Sequence, residues 1–363
     1  MRITFLTPAD NLTGGSRVVA VHARKLLERG HDVTVVSCAP DRLRPGALLR
    51  ALARRDWAAI GAHVSPPPGH VALSGVPHKV LKRPGPIQAG DLEDADIVVG
   101  TWWETVAWMH AMPASKGRRM HLIQGYETWL APQSQPQVHA ALRLPNRKVA
   151  ISHGLKQTIE DALGPLGISV VPNAVDPDQF AVPPRARQPA PTVGFIYAHA
   201  SIKGADICAA ACALARRRLP DLKVVAFGAD PVSGILPLPD GAAYHHRPDQ
   251  HRLREIYGSA DWWLFGSRLD SFGLPILEAM ACGTPVIGVP VGAAPALLDG
   301  ECGVLLADHS VEAMAAAIVA LAQESPAAWQ ARSRRAHERA HGYSWDDASD
   351  MLLEIMNGMM REA

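Results

Sequence analysis

Short apolar runs recur along the chain, separated by helical stretches, and this alternation limits the fold more than any other feature. "RITFLT" is followed by the loop "PADNLTGGS", then by the helical pattern "RVVAVHARKLLERG" stopped by Gly30, then by "DVTVVS". That order is a βαβ unit with a glycine pair before its helix. The alternation continues through "ADIVVGT", "MHLIQG", "KVAIS" and "ISVVPN". It starts again at "TVGFIYA" and runs on through "LKVVAFG", "DWWLFGS", "TPVIGV" and "CGVLLA". Strands that alternate with helices pair in parallel, because a parallel pair needs a crossover. Between the two sets, "VPPRARQPAP" at 182–191 carries Pro183, Pro184, Pro189 and Pro191 and reads as a stiff linker. At 363 residues there is room for two cores. The expectation is two α/β domains, 1–181 and 192–344, with ligands in a cleft at the C-terminal edges of their sheets.

Composition narrows the partners. Hydrophobic residues make up 48% and charged residues 20%, as in an ordinary globular protein. Residues 1–150 hold 19 Lys and Arg against 11 Asp and Glu, whereas residues 151–363 hold 17 against 24. A basic first domain suits a membrane surface or a charged acceptor. The charge is too diffuse, and clustered aromatics too few, for nucleic acid. In "ALLRALARRDW", Arg50 and Arg54 share one helix side, with Leu48, Leu52 and Trp57 elsewhere. A solvated charged face is preferred there over membrane docking. The five cysteines are odd in number, lack CxxC spacing, and fit a reduced cytosolic protein. The histidines are read as non-metal. "MRITFLTP" enters a strand directly, without a secretory pattern, so the expected location is cytoplasmic, with peripheral contact on the inner face of a membrane. Residues 279–298 are uncharged but broken by proline and glycine, which argues against a membrane span.

The densest chemical signal is "RLDSFGLPILEAMACGTPVIG" at 268–288. Pro275 suits the first position of a helix over Ile276 to Cys282, and Gly283 supplies the left-handed residue that closes it. Ser271, Phe272, Gly273 and Leu274 then stand at the helix N-terminus, where unpaired N–H groups attract an anion. Glu278 lies about one turn in and leans back toward the ligand that Asp270 meets from the loop. The same spacing also arises where a Glu only offsets the helix dipole and an Asp only makes a turn. Gly14 and Gly15, ahead of the first helix, are a second candidate anion contact. The GxGxxG and following acidic residue of a nicotinamide enzyme do not occur around them.

These residues resemble the GT-B fold, family 4 retaining glycosyltransferases along nearly the whole chain. The likeness is strongest in "YGSADWWLFGSRLDSFGLPILEAMACGTPVIG". It implies two Rossmann-like β/α/β domains facing a central cleft, the second binding a nucleotide-sugar donor and the first a saccharide, lipid-linked or small-molecule acceptor. It also implies that the helix at 345–363 crosses back onto the first domain. By this resemblance Asp270 holds the transferred sugar's hydroxyls, Glu278 the nucleotide's ribose, and Phe272, Gly273 and Leu274 give backbone donors to sugar and diphosphate. The family usually has Glu where Asp270 stands. It also carries an Arg near Ala198 in "GFIYAHASIKGAD", leaving Lys203 to meet the diphosphate alone or with Arg247 or Arg268. Trp102, Trp103, Glu104, Gln124, Tyr126 and Glu127, at strand ends of the first domain, are candidate acceptor contacts, since aromatic faces pack on sugar CH groups. Many relatives have a His about where Gln124 stands. Asn173 and Asp176 of "VPNAVDPDQF" are read as turn formers. No metal or other cofactor is expected: Lys203 and a helix N-terminus already offset the diphosphate, and Asp346-Asp347 and "DLEDAD" at 91–96 read as helix-start or loop charges. The alternatives are a GT-B protein that binds nucleotide without transfer, and a GT-B phosphorylase or epimerase.

Overall fold

The computed structural model describes residues 1–40, 45–53, 55, 57–64, 67–129 and 132–362. The chain divides into two compact units. One comprises Met1–Ile151, Thr158–Val171 and Ser349–Ala363, the other Ser152–Gln157 and Pro172–Ala348.

The first unit is built on a parallel sheet of β1 (Arg2–Thr7), β2 (Asp32–Ser37), β3 (His78–Val80), β4 (Ile97–Gly100), β5 (Arg118–Ile123), β6 (Arg147–Ala150) and β7 (Ser169–Val170). Their spatial order is β3-β2-β1-β4-β5-β6-β7. The second unit has β8 (Thr192–Ile196), β9 (Lys223–Gly228), β10 (Ala243–His246), β11 (Trp262–Phe265), β12 (Val286–Gly288) and β13 (Gly303–Leu305), ordered β10-β9-β8-β11-β12-β13. In both sheets the winding reverses between neighbours, at β1/β4 in the first and at β8/β11 in the second. A ligand crevice opens at the C-terminal ends of the strands at such a point.

Helices on both faces of a parallel sheet leave its central strands no wet side. Accordingly, every residue of β4 (IVVG) and β11 (WWLF) is buried. The edge strands read differently: β3 is HKV and β10 is AYHH, each largely exposed or half-buried. Polar edges hinder unwanted pairing, and for the same reason these two strands have no apolar run to announce them.

Three local expectations shift. The first helix is Gly14–Glu28, so the glycine pair forms its first turn instead of the loop before it. The second is the helix that follows Asp270. It begins at Leu274, with Gly273 at φ +90° before it and Pro275 in second place. The third is the proline-rich stretch 182–191, which is not an isolated tether but packs inside the second unit. Asp261, fully buried ahead of β11, accepts hydrogen bonds from the Gln188 and Thr192 N–H groups at 2.8 and 2.9 Å. Arg185 and Arg187 lie 3.9 and 4.0 Å from its carboxylate, and Arg185 sits over the Trp329 ring.

The last helix, Trp345–Arg361, changes unit along its length. In the first unit, Ser349 meets His22 at 3.0 Å and Asp350 accepts from Arg29 at 2.6 Å. In "ALLRALARRDW", Arg54 lies outside the described residues. Leu48 is half-buried, while Arg50, Leu52 and Trp57 are exposed, the last at 70%. No helix among the described residues is long and apolar enough to cross a membrane.

Asp261→Ala should leave the buried Arg185 without its acidic neighbour and free two backbone donors. The expected loss is roughly 3–5 kcal/mol, as for a broken buried pair. Urea unfolding followed by tryptophan fluorescence measures it, and a loss below about 1 kcal/mol would show that the arginines are solvated well enough without the carboxylate.

Candidate functional site

In the second unit, the loops after β8 and β11 meet at the switch point. Gly204 adopts φ +63°, and a Cβ there would stand 1.8 Å from the Gly266 carbonyl oxygen, so only glycine fits. The Arg268 N–H donates to Ile202 O at 2.8 Å, fastening one loop to the other. This contact brings Lys203 to Asp270: Nζ donates to Oδ2 at 2.8 Å, with the lysine side chain 41% exposed and the aspartate 15%.

The other aspartate oxygen turns to the backbone. Asp270 Oδ1 accepts from the Phe272 and Gly273 N–H groups at 3.3 and 2.9 Å. Two of the donors assigned by resemblance to sugar and diphosphate are therefore already engaged. A glutamate, one methylene longer, would place its carboxylate farther from these N–H groups. Leu274 opens the helix, whose fifth residue is Glu278. That carboxylate is 7% exposed and accepts from the Tyr257 hydroxyl at 2.8 Å. The partner lies in "YGSAD" of the recognised stretch. Its ring sits among Trp263, Phe227 and Phe180, with centroids 4.4, 5.5 and 6.1 Å away.

Neither assisting arginine joins Lys203 in this arrangement. Arg268 forms a two-point pair with Asp206 at 2.6 and 2.8 Å and donates to Ser201 O. Arg247 follows β10 at φ +47° and gives its Nε to Ala229 O at 3.0 Å. A left-handed conformation is costly for any residue with a Cβ, which marks Arg247 as a held position at the same sheet edge. Ala198 precedes His199, whose N–H donates to Asp230 at 2.8 Å. Asp176 forms the expected turn, accepting from the Asp178 and Gln179 N–H groups at 3.0 and 3.1 Å.

In the first unit, Gly14 and Gly15 begin the first helix beside Gln124. A Cβ on Gly15 would lie 3.5 Å from Gln124 Oε1, a buried oxygen with no partner among the described residues. Trp102 precedes the helix Trp103–His110, and Trp103 packs against the core. Glu104 lies in the first turn of that helix. Glu127 is 2% exposed and accepts from the Trp103 N–H. Burial and the neighbouring Glu104 charge outweigh that bond and push the Glu127 carboxyl up to about 8. At neutral pH it is largely a neutral acid. Tyr126 has its hydroxyl 2.7 Å from His139 Nε2, with the rings stacked.

One stretch has metal-ligand spacing that a reading for histidine pairs should detect, His337-Glu338-Arg339-Ala340-His341. Its two rings lie 4.0 Å apart, while Nδ1 of His337 contacts Ala281 O and Nδ1 of His341 contacts His337 O. Among the described residues, no group of three His, Cys, Asp or Glu could hold a metal. All five cysteines are buried, and burial pushes Cys208 up to about 12.

Two doubly wound parallel sheets with this switch-point geometry define a GT-B protein. The fold is that of Anabaena HepE in complex with UDP and glucose, with TM-score 0.73, 17% identity and coverage of 98% of this chain and 99% of that one. Sucrose-phosphate synthase from Thermosynechococcus elongatus aligns over the whole of both chains at TM-score 0.72 and 17% identity. In sequence, residues 12–179 match Glycosyltransferase Family 4 and residues 190–324 match Glycosyl transferases group 1. D-inositol 3-phosphate glycosyltransferase of Mycobacterium marinum is 35% identical over 214 residues, 52% of this chain and 44% of that protein. The Mycobacterium avium protein of the same name is 34% identical over 184 residues, 47% and 42% of the two chains. The chain thus spans less than half the length of these curated relatives. It belongs to the family 4, group 1 glycosyltransferases.

The state of Glu127 gives a pH prediction. Its folded value, about 8, lies above the ordinary 4.5. Between those values the folded chain holds a proton that the unfolded chain has released, so this contribution to stability is full below 4.5 and is lost as pH rises toward 8. Glu127→Gln keeps a neutral side chain and should leave stability near wild type at pH 5 while raising it by roughly 1–4 kcal/mol at pH 8. Thermal unfolding of both proteins at the two pH values tests this. A variant that tracks wild type at both would show that Glu127 ionises normally.

Proposed function

We propose that the chain is a retaining glycosyltransferase that moves a sugar from a nucleotide-sugar donor, held by the second unit, to a saccharide, lipid-linked or small-molecule acceptor, held by the first. The observation that carries this reading is the Lys203–Asp270 pair at the switch point of the second sheet, with Glu278 in the adjoining helix. HepE was solved with UDP and glucose, and this supports a UDP-sugar as the first donor to test. The D-inositol 3-phosphate glycosyltransferases support a small hydroxylated acceptor.

The chemistry follows from where charge grows. As the bond from sugar C1 to the phosphate oxygen breaks, the sugar becomes oxocarbenium-like and the diphosphate gains negative charge. Lys203, the more exposed partner at 41%, exchanges Asp270 for the diphosphate, so that one charge-assisted contact replaces another. Asp270 Oδ2 is then released to accept a sugar hydroxyl. The acceptor oxygen bonds C1 on the face the phosphate leaves, and its proton passes to the departing phosphate oxygen. Lys203 and the helix dipole offset the growing charge, which is electrostatic stabilisation of the oxyanion type. No divalent metal is needed in this scheme.

A second reading, nucleotide binding without transfer, is favoured by one feature: Asp270 is already satisfied by Lys203 and two backbone donors. Two variants separate the readings. Lys203→Ala should lower turnover about 10²–10³-fold, more than it weakens donor binding. Glu278→Ala should weaken nucleotide affinity by about 1–3 kcal/mol by calorimetry. Nucleotide binding with no transfer to any acceptor tried would favour the second reading, and no nucleotide binding would sink both.

Metal independence has its own test. Transfer after exhaustive EDTA treatment should stay within about twofold of the untreated rate, a range that screening by added salt alone can produce. Activity abolished by EDTA and restored only by magnesium or manganese would overturn it.

A further inference from the structure

The first unit contains a basic concavity of about 530 Å³ at the edge of its sheet opposite Gly15, Gln124 and Glu127. Arg118 and Arg119 open β5, and Arg147 and Lys148 open β6, so all four stand at the N-terminal strand ends, where they line the pocket. Asn146 and Glu362 complete the polar lining. Four cations therefore share one carboxylate, and Glu362, 61% exposed, is held by Arg147. Arg118 gives an N–H to Met359 O, and Arg119 gives one to Met112 O at 2.7 Å. A guanidinium carries five N–H groups, so these contacts leave most of the donors for another partner.

Two of the lining side chains are also buried without a full set of partners. Lys148 is 7% exposed, and its Nζ donates to Leu144 O and Asn146 O at 2.8 and 3.2 Å. Among the described residues it has no ion pair, and a buried charge ordinarily requires one. Asn146 is also 7% exposed, and neither its Oδ1 nor its Nδ2 has a partner among the described residues. Buried amides are ordinarily satisfied at both ends. Burial also pulls the Lys148 ammonium below the usual lysine range, as expected where a counter-charge is missing.

We propose that this pocket binds a phosphomonoester that also carries a hydroxyl group, at a site separate from the candidate donor and acceptor residues. The arginines supply fork-shaped, charge-assisted donors for phosphate oxygens. Lys148 supplies the buried point charge. The Asn146 amide donates to one ligand oxygen and accepts from the hydroxyl. The volume suits a small metabolite. A free phosphorylated polyol and a phosphomonoester lipid headgroup share this chemistry.

The probes are glycerol 3-phosphate and inorganic phosphate, titrated calorimetrically at constant ionic strength. Phosphatidylcholine vesicles with and without phosphatidic acid are compared by cosedimentation. Lys148→Met and Asn146→Leu each replace a buried polar group lacking full partners by an apolar one of similar size, so both should fold, as thermal melts will check. Glycerol 3-phosphate should bind saturably and more tightly than phosphate. Binding should weaken tenfold or more in both variants and persist in Lys203→Ala. A response to phosphatidic acid vesicles alone, lost in the same variants, assigns the site to the headgroup. The inference is overturned if neither free probe nor vesicle binds, or if binding ignores Lys148→Met and Asn146→Leu. It is equally overturned if binding is lost in Lys203→Ala and kept in Lys148→Met, which would place the anion at the candidate donor residues.

Discussion

Everything proposed for the second unit depends on two backbones touching. Gly204 lies so close to the Gly266 carbonyl that a side chain on it would collide. The loops after β8 and β11 can therefore share a hydrogen bond, and Lys203 and Asp270, 67 positions apart in sequence, meet at 2.8 Å. The parallel sheet supplies the setting, since its winding reverses between those two strands. A larger residue at 204 would part the loops and separate the charges, even though it touches neither.

What could be read from the residues follows burial. Central strands such as IVVG and WWLF are apolar throughout because helices cover both faces, so their runs stand out. HKV and AYHH lie at sheet edges, where nothing demands apolar side chains, and they pass unnoticed. That Asp270 precedes a helix start and Glu278 lies within that helix was legible from the residues around Pro275. The attachment of Asp270 to its own following N–H groups was not, because it depends on the path of a loop and on a side chain one methylene shorter than the family's usual Glu. Proline at 183, 184, 189 and 191 suggested a free tether. The deciding residue was Asp261, some 70 positions away, which no local pattern links to Gln188 and Thr192.

The first unit treats charge differently. Its carboxyl at Glu127 is buried beside Glu104 and kept neutral, while Lys148 is buried as a cation among carbonyls. These groups stand at opposite ends of the same strands, near the loops after β4 and β5 in one case and at the starts of β5 and β6 in the other. An acid next to an acid and a base without a counter-ion both raise the free energy of the empty protein. Each is the kind of cost that a bound partner of suitable charge or hydrogen-bonding pattern can offset.

Glu278 shows a contrasting strategy. Its carboxylate is gripped by a tyrosine whose ring is fixed among three other aromatic side chains. A free glutamate samples many rotamers, and immobilising a side chain rich in rotamers costs about 0.5–1.5 kcal/mol when a complex forms. Here folding has already imposed that order through the aromatic core. A ligand that reaches this oxygen meets a side chain with little freedom left to surrender, and core substitutions around Tyr257 would loosen it without touching the ligand at all.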